Sequence, residues 1–180
     1  MLHYITTYPS PVGILTLACT DKDLVGLWVD GQKYFKSTIP NEVVTNDDMP
    51  VFRIAREWLD RYFAGEKPLI TALPLAPTGS EFRQRVWKLL CGIPYGEVDT
   101  YGGIAKRIAL EMNKSTMSSQ AIGGAVGHNP ISIIIPCHRV VGANGSLTGY
   151  GGGIQVKYDL LQLEGADLSH LFIPQTGTAI

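Results

Sequence analysis

Short runs of β-branched and aromatic residues open the chain. Leu2 to Thr7, Gly13 to Thr20 and Leu24 to Val29 are separated by Pro9-Ser10-Pro11 and Asp21-Lys22-Asp23. Apolar runs of this length between turn-forming clusters predict a β-meander. A polar, weakly patterned stretch follows to about Asp48. Pro50 then starts a different period. Val51, Ile54, Ala55, Trp58, Leu59, Tyr62 and Phe63 recur every three or four residues, and Gly65 ends the series. That spacing lines one face of a helix able to cover one face of the sheet, so the aromatic stripe reads as core packing.

The segment from Lys67 to Gly79 carries Pro68, Pro74 and Pro77 and no periodicity. It reads as a linker between a small α/β domain (residues 1–77) and a mostly helical domain (residues 78–168). Ser80 can cap a helix whose apolar face is Phe82, Val86, Leu89 and Leu90, ended by Gly92. Thr100 can cap a second short helix, Tyr101 to Leu110, and Ser115 or Thr116 a third, Met117 to about Gly127. Two short helices joined by a tight polar turn, Glu111 to Ser115, suggest a helix-turn-helix, although αα-hairpins of other kinds share the pattern. A last amphipathic helix, Val156 to Glu164, turns Val156, Leu160, Leu161 and Leu163 largely inward and ends at Gly165. Residues 169–180 are expected to form a loose tail.

Composition narrows the class. Of 180 residues, 45% are hydrophobic and 17% charged, which fits a globular protein with a real core and excludes a disordered chain. The apolar run Ile131 to Ile135, bracketed by Pro130 and Pro136, is far too short to span a bilayer, so no membrane partner is expected. Met1-Leu2-His3-Tyr4 leads directly into strand-like sequence without a basic or apolar leader. Cys19, Cys91 and Cys137 form no C-x-x-C pair, and a reducing cytoplasm is the expected location. The net charge of −1 gives no support to a strongly electrostatic nucleic-acid binder. Split at Thr78, the two parts carry −2 and +1, so any DNA binding would rest on a local patch and be salt-sensitive.

The richest chemistry lies in Asn129-Pro-Ile-Ser-Ile-Ile-Ile-Pro-Cys137-His138-Arg139-Val140. A β-branched run ends at a proline, which breaks a strand and re-aims the chain, and a cysteine follows at once. The expectation is a thiol held at a strand end. His138 is adjacent, but neighbours in an extended chain point opposite ways, so contact needs a turn or a bridging water. Activation would matter: a thiol with pKa about 8.5 is a few per cent thiolate at neutral pH, and full ionisation gains roughly thirtyfold, or about 2 kcal/mol. An inert buried cysteine is the competing reading. Cys19 and Cys91 have no adjacent histidine and read as structural. Gly123-Gly124 and Gly151-Gly152-Gly153 lack the Lys-Ser/Thr ending of a phosphate loop and fit close packing or approach to a base.

The run Asn129-Pro-x5-Pro-Cys-His-Arg-Val-Val-Gly142 resembles the active-site signature of the O6-alkylguanine-DNA alkyltransferases, also called methylated-DNA–protein-cysteine methyltransferases. Phe82-x4-Trp87, Ile93-Pro-Tyr-Gly-Glu97, Thr100-Tyr-Gly-x-Ile-Ala105, Ala121-Ile-Gly-Gly124, Leu147-Thr-Gly-Tyr150-Gly-Gly-Gly153 and Leu160-Leu-x-Leu-Glu-Gly165 are similar to that family in order and spacing. The likeness covers the whole second domain. It implies an RNase H-like first domain and a winged-helix-like second domain containing the helix-turn-helix.

The resemblance also implies roles. Cys137 would take the alkyl group from O6-alkylguanine, or O4-alkylthymine, in one irreversible displacement. Glu164 would hold His138 in the tautomer that accepts the thiol proton. Tyr101 would donate to the leaving base, and Asn129 would tie its turn to the active-site segment. Tyr150 would pack on the base, with the backbone of Val140, Gly151 and Gly152 beside it and the small residues Val126 and Gly151 leaving room for larger alkyl groups. Ser118, Ser119, Gln120, Gly123, Arg139 and Tyr101 would meet double-stranded DNA through its minor groove, with the damaged base flipped out. The protein would act as a monomer without a cofactor, and His3, Cys19, His128, His138 and His170 show no zinc-ligand spacing. Gln120 departs from the pattern, since the family often has an arginine there to fill the vacated stack. The alternatives are an alkylation sensor controlling transcription, and a Cys-His hydrolase, which would leave the helix-turn-helix unexplained.

Overall fold

The computed structural model describes residues 1–175. Strands β1 (Tyr4–Ser10), β2 (Gly13–Cys19) and β3 (Leu24–Val29) form the expected antiparallel meander. The polar stretch after it contributes a fourth strand, β4 (Val44–Thr45), parallel to β1, giving the order β3-β2-β1-β4. Helix α1 (Pro50–Phe63) begins with a proline where the missing N–H is no loss. It packs on the sheet and buries Val51, Phe52, Ala55, Trp58, Leu59 and Tyr62. Ile54, expected on this face, sits at the edge of the stripe and is 42% exposed.

The proline-rich stretch expected as a linker lies along β3. The Leu24 N–H donates to the Pro74 carbonyl at 2.7 Å and the Ala76 N–H to the Leu24 carbonyl at 3.0 Å. Farther along the same strand, the Leu27 N–H donates to the Pro130 carbonyl at 2.9 Å and the Leu27 carbonyl accepts from the Ser132 N–H at 2.8 Å. The open edge of β3 is thereby covered, which also prevents pairing with another chain. One apolar core continues from Leu17 and Leu27 through Leu59 to Trp87, Ile104, Ile122 and Leu160. Fully buried side chains of this size each contribute about 1.5–3 kcal/mol. The segment that carries Cys137 is therefore anchored directly to the sheet.

Helix α2 (Glu81–Leu90) is capped by Ser80, whose hydroxyl accepts from the Arg83 N–H. Strand β5 (Asp99–Thr100) leads into α3 (Tyr101–Glu111), where Thr100 accepts from the Gly103 N–H. Each cap is worth about 1 kcal/mol. Helix α4 (Ser119–Gly127) starts later than expected. Asn113, in the left-handed region at φ 52°, turns the chain out of α3. Ser118, not Ser115 or Thr116, then accepts from the Gln120 and Ala121 N–H groups. Helices α3 and α4 pack through Ile104, Ile108, Ile122 and Ala125, and the Trp87 indole ties α2 to the Ala125 carbonyl at 2.8 Å.

Strand β6 (Val140–Val141) pairs parallel with β5, bringing the end of the Cys137 segment beside the start of α3. In α5 (Ile154–Leu163) the buried residues are Lys157, Leu160 and Leu161. Leu163, expected inward, falls on the outer face and is 36% exposed, and Val156 is half-buried. The tail is fastened where it is described: the Leu147 N–H donates to Phe172 at 3.0 Å and the Phe172 N–H to Gly145 at 3.1 Å. The rest of the expected loose tail, residues 176–180, lies outside the described residues. Among the described residues no helix is long and apolar enough to cross a membrane.

Candidate active site

The run expected to be a strand ending at Pro136 is instead a series of tight turns. Only Ile131 bridges to the sheet, and Ile133 sits in the left-handed region at φ 71°, where β-branched residues are genuine outliers. Such a residue costs about 1–3 kcal/mol and persists only when its surroundings over-determine it. Asn129 supplies part of that hold. Its Oδ1 accepts from the Ile131 N–H at 3.0 Å, and its Nδ2 donates to the Ile135 carbonyl at 2.8 Å and to Cys137 Sγ at 3.0 Å. Cys137, His138 and Arg139 then form one 3₁₀ turn, so the extended-chain argument that separated Cys137 from His138 does not apply. Cys137 is only 4% exposed. Burial pushes its thiol pKa up, while the Asn129 hydrogen bond and the Lys157 charge pull it back.

His138 is fully buried, and burial lowers its pKa despite the nearby Glu164. The ring is therefore neutral at neutral pH. Its Nε2 lies 2.6 Å from Glu164 Oε1, so the proton belongs on Nε2 and the lone pair on Nδ1, which has no protein partner. Glu164 is buried rather than solvated. Burial alone would raise its pKa, but the charge and hydrogen bonds of His138 and Arg139 outweigh that and hold the carboxyl well below the usual range. It also accepts from the Tyr62 hydroxyl at 2.7 Å and from the Gly96 N–H at 3.1 Å.

Arg139 was expected on the DNA face, and the structure corrects this. It is buried, with Nε and Nη2 each 2.9 Å from Glu164 and Nη1 on the Ile93 carbonyl at 2.6 Å. The guanidinium is committed to holding the Glu164 carboxylate and is closed to phosphate. Tyr101, at the start of α3, donates to the Thr148 carbonyl at 2.9 Å. Tyr150 is buried edge-on to His138, with ring centroids 6.4 Å apart and no partner for its hydroxyl. At Gly152 a Cβ would stand 2.7 Å from the Tyr150 ring, so a side chain there would have to displace that ring. The Gly151 carbonyl accepts from the Lys33 N–H at 3.1 Å, and the Val140 carbonyl accepts from Lys157.

Beside Tyr101 opens a cleft of about 540 Å³, lined among others by Ser119, Gln120, Gly123, His128, Thr148 and Tyr34. Gln120 and Ser119 are exposed there, whereas the Ser118 hydroxyl is occupied in capping α4. Val126, expected as a pocket wall, packs in the core, and the α4 side of the cleft is formed by Gly123, Gly124 and Gly127. Sequence reasoning missed several residues here. Tyr62 reaches the carboxylate from α1, and Lys157 is fully buried in α5. Tyr34 stacks on His128 with centroids 3.9 Å apart, which brings the 30–39 loop of the first domain over the cleft. Among the described residues no cluster of histidine, cysteine and carboxylate side chains could hold a metal ion.

A sheet-and-helix domain joined through one core to a helix-turn-helix, with a buried thiol where they meet, has known counterparts. Residues 3–77 match the ribonuclease-like domain of 6-O-methylguanine DNA methyltransferase, and residues 81–166 its DNA binding domain. The chain is 43% identical over 162 residues to the methylated-DNA–protein-cysteine methyltransferase of Haemophilus influenzae, covering 89% of this chain and 86% of that one. It is 46% identical over 164 residues to the enzyme of the same name from Mycobacterium bovis, covering 91% and 93%. Among solved structures, that of Mycobacterium tuberculosis OGT in complex with DNA is similar, with TM-score 0.76, 43% identity and coverage of 92% and 93%. The chain belongs to the 6-O-methylguanine DNA methyltransferase family.

Proposed function

We propose that this protein repairs DNA by moving the alkyl group of O6-alkylguanine, or O4-alkylthymine, onto Cys137 in a single turnover. The observation that carries this reading is the arrangement of Asn129, Cys137, His138 and Glu164. Asn129 aims a donor at the sulfur, and Glu164 fixes the histidine with Nδ1 available as base. In the reaction Sγ attacks the alkyl carbon, the carbon–oxygen bond to the base breaks, and a thioether forms. His138 takes the thiol proton, directly or through a water, and Tyr101 donates to the departing base. Nothing in the site reverses a thioether, so each copy acts once.

Burial of Cys137 supports base flipping, because a base stacked in a duplex cannot reach a sulfur that is 4% exposed. The uncharged start of α4, with Ser119 and Gln120 at the cleft, supports a close approach through the minor groove. Tyr150 and the Val140–Gly152 backbone then frame the base. One chain supplies every group, which supports action as a monomer, and three free cysteines fit a reducing cytoplasm. A transcriptional sensor would not need a histidine base held by a buried carboxylate. Cys137→Ser tests the assignment: it should retain binding to damaged duplex yet leave O6-methylguanine in place, because a hydroxyl is a far weaker nucleophile. Clearance of the lesion by this variant would remove Cys137 from the role.

A further inference from the structure

Two buried cations are tied to the segment that carries Cys137, Arg139 within its turn and Lys157 on the Val140 carbonyl that follows it, and they are balanced differently. Arg139 shares a carboxylate with His138. Lys157 has no exposed surface, and no carboxylate of the described residues lies within ion-pair distance of it. Its ammonium donates to the main-chain carbonyls of Val140 and, at 2.8 Å, of Thr148, and stands 5.9 Å from the centre of the Tyr101 ring. Carbonyls solvate an ammonium without cancelling its charge, and a buried unbalanced charge is costly.

The groups facing Cys137 leave one candidate for the balancing anion. His138 is neutral, and the charge of Glu164 is engaged by Arg139. Tyr62, Tyr101 and Tyr150 are held in their neutral forms by burial. Only the cysteine can become an anion beside Lys157. Burial draws the Lys157 pKa down to about 8, and Cys137 acts against that shift, just as Lys157 acts against the rise at Cys137. The same ammonium shares the Thr148 carbonyl with the Tyr101 hydroxyl, so it also fixes where that donor stands.

We propose that Lys157 is a positioning residue for alkyl transfer: it is the counter-cation of the Cys137 thiolate and the clamp on the Val140 and Thr148 carbonyls that wall the base site. This rests on Cys137 being the acceptor. The test is the pH dependence of Cys137 modification by iodoacetamide, read by peptide mass so that Cys19 and Cys91 are separated, in wild type, Lys157→Met and Lys157→Arg. Lys157→Met should raise the midpoint by about one unit, slowing Cys137 roughly tenfold at neutral pH. Lys157→Arg should restore most of that rate, and Cys19 should not change. Coincident Cys137 profiles in a folded Lys157→Met protein would overturn the proposal.

Should Lys157→Met fail to fold, the wild type carries the test. An NMR titration of the Lys157 side chain before and after stoichiometric reaction with O6-methylguanine DNA should show its midpoint falling by about one unit, because a thioether carries no charge. An unmoved midpoint with the methyl mapped to Cys137 overturns the role of Lys157 alone. A methyl found elsewhere overturns the acceptor assignment beneath it.

Discussion

Both oxygens of the Glu164 carboxylate are fully engaged, while along the cleft at the start of α4 few side chains have a partner. The carboxylate receives Tyr62, His138, Arg139 and the Gly96 N–H at 2.6–3.1 Å, with its side chain wholly out of water. Ser119 and Gln120, by contrast, stand exposed and make no side-chain hydrogen bond to the described residues. The first region is tuned by burial, so any change alters both charge balance and protonation. On the proposed reading the second meets its partner only in the complex, so substitutions there should alter recognition and leave the fold intact. The departure from the family pattern at Gln120 falls where the structure tolerates it.

The largest expected effect comes from breaking the closed region. Glu164→Gln leaves the Arg139 guanidinium buried without an anion, which typically costs 3–5 kcal/mol. It also lets His138 turn to the wrong tautomer. Thermal unfolding should show the loss, and single-turnover transfer, measured where the variant is still folded, should slow more than tenfold. A rate within twofold of wild type would detach Glu164 from the chemistry.

A smaller effect is expected in the open region. Gln120→Ala should slow transfer from duplex DNA by about tenfold, the scale of one lost stacking contact of 1–3 kcal/mol. Reaction with free O6-benzylguanine should be unchanged, because a free base needs no flipping. Gln120→Arg should tighten duplex binding and steepen its salt dependence by about one counterion. An unchanged duplex-to-free-base ratio across wild type and both variants would withdraw α4 from the duplex. Neither variant should move the unfolding temperature.

The smallest effect is in pH. His138 is buried neutral, with its pKa lowered from 6.5 by burial. The unfolded chain therefore binds a proton near pH 6.5 that the folded protein refuses, so stability is intact above that value and declines as pH falls through it. The unfolding temperature should drop between pH 7.5 and 5.5, and less so in His138→Gln. An equal drop in both would assign the dependence elsewhere.

What the sequence made legible follows the same division. Strands β2 and β3, helix α1 and the Cys137 signature lay in local patterns of residue type, which one chain displays by itself. The run at Ile131 to Ile135 did not. Its β-branched residues favour a strand, but Asn129 cross-ties and the burial of Ile133 force turns, and that is a tertiary cause. Arg139 read as a surface cation because nothing local reveals Glu164 25 residues away in sequence. Lys157 did leave a signal. It falls on the inner stripe of α5 with Leu160, Leu161 and Glu164, and a lysine on an apolar stripe marks a buried charge with work to do. Tyr62 left none, since its ring fitted the core pattern and only its hydroxyl reaches the site.

The central claim is that Cys137 is the atom that accepts the alkyl group. Incubation of the wild-type protein with duplex DNA containing O6-methylguanine, followed by intact-mass measurement and peptide mapping, tests it most directly. The account predicts one added methyl group per chain, located on Cys137, with Cys19 and Cys91 unmodified and unaltered guanine left in the DNA. A lesion cleared with no mass gained by the protein, or a methyl group on any other residue, would contradict it.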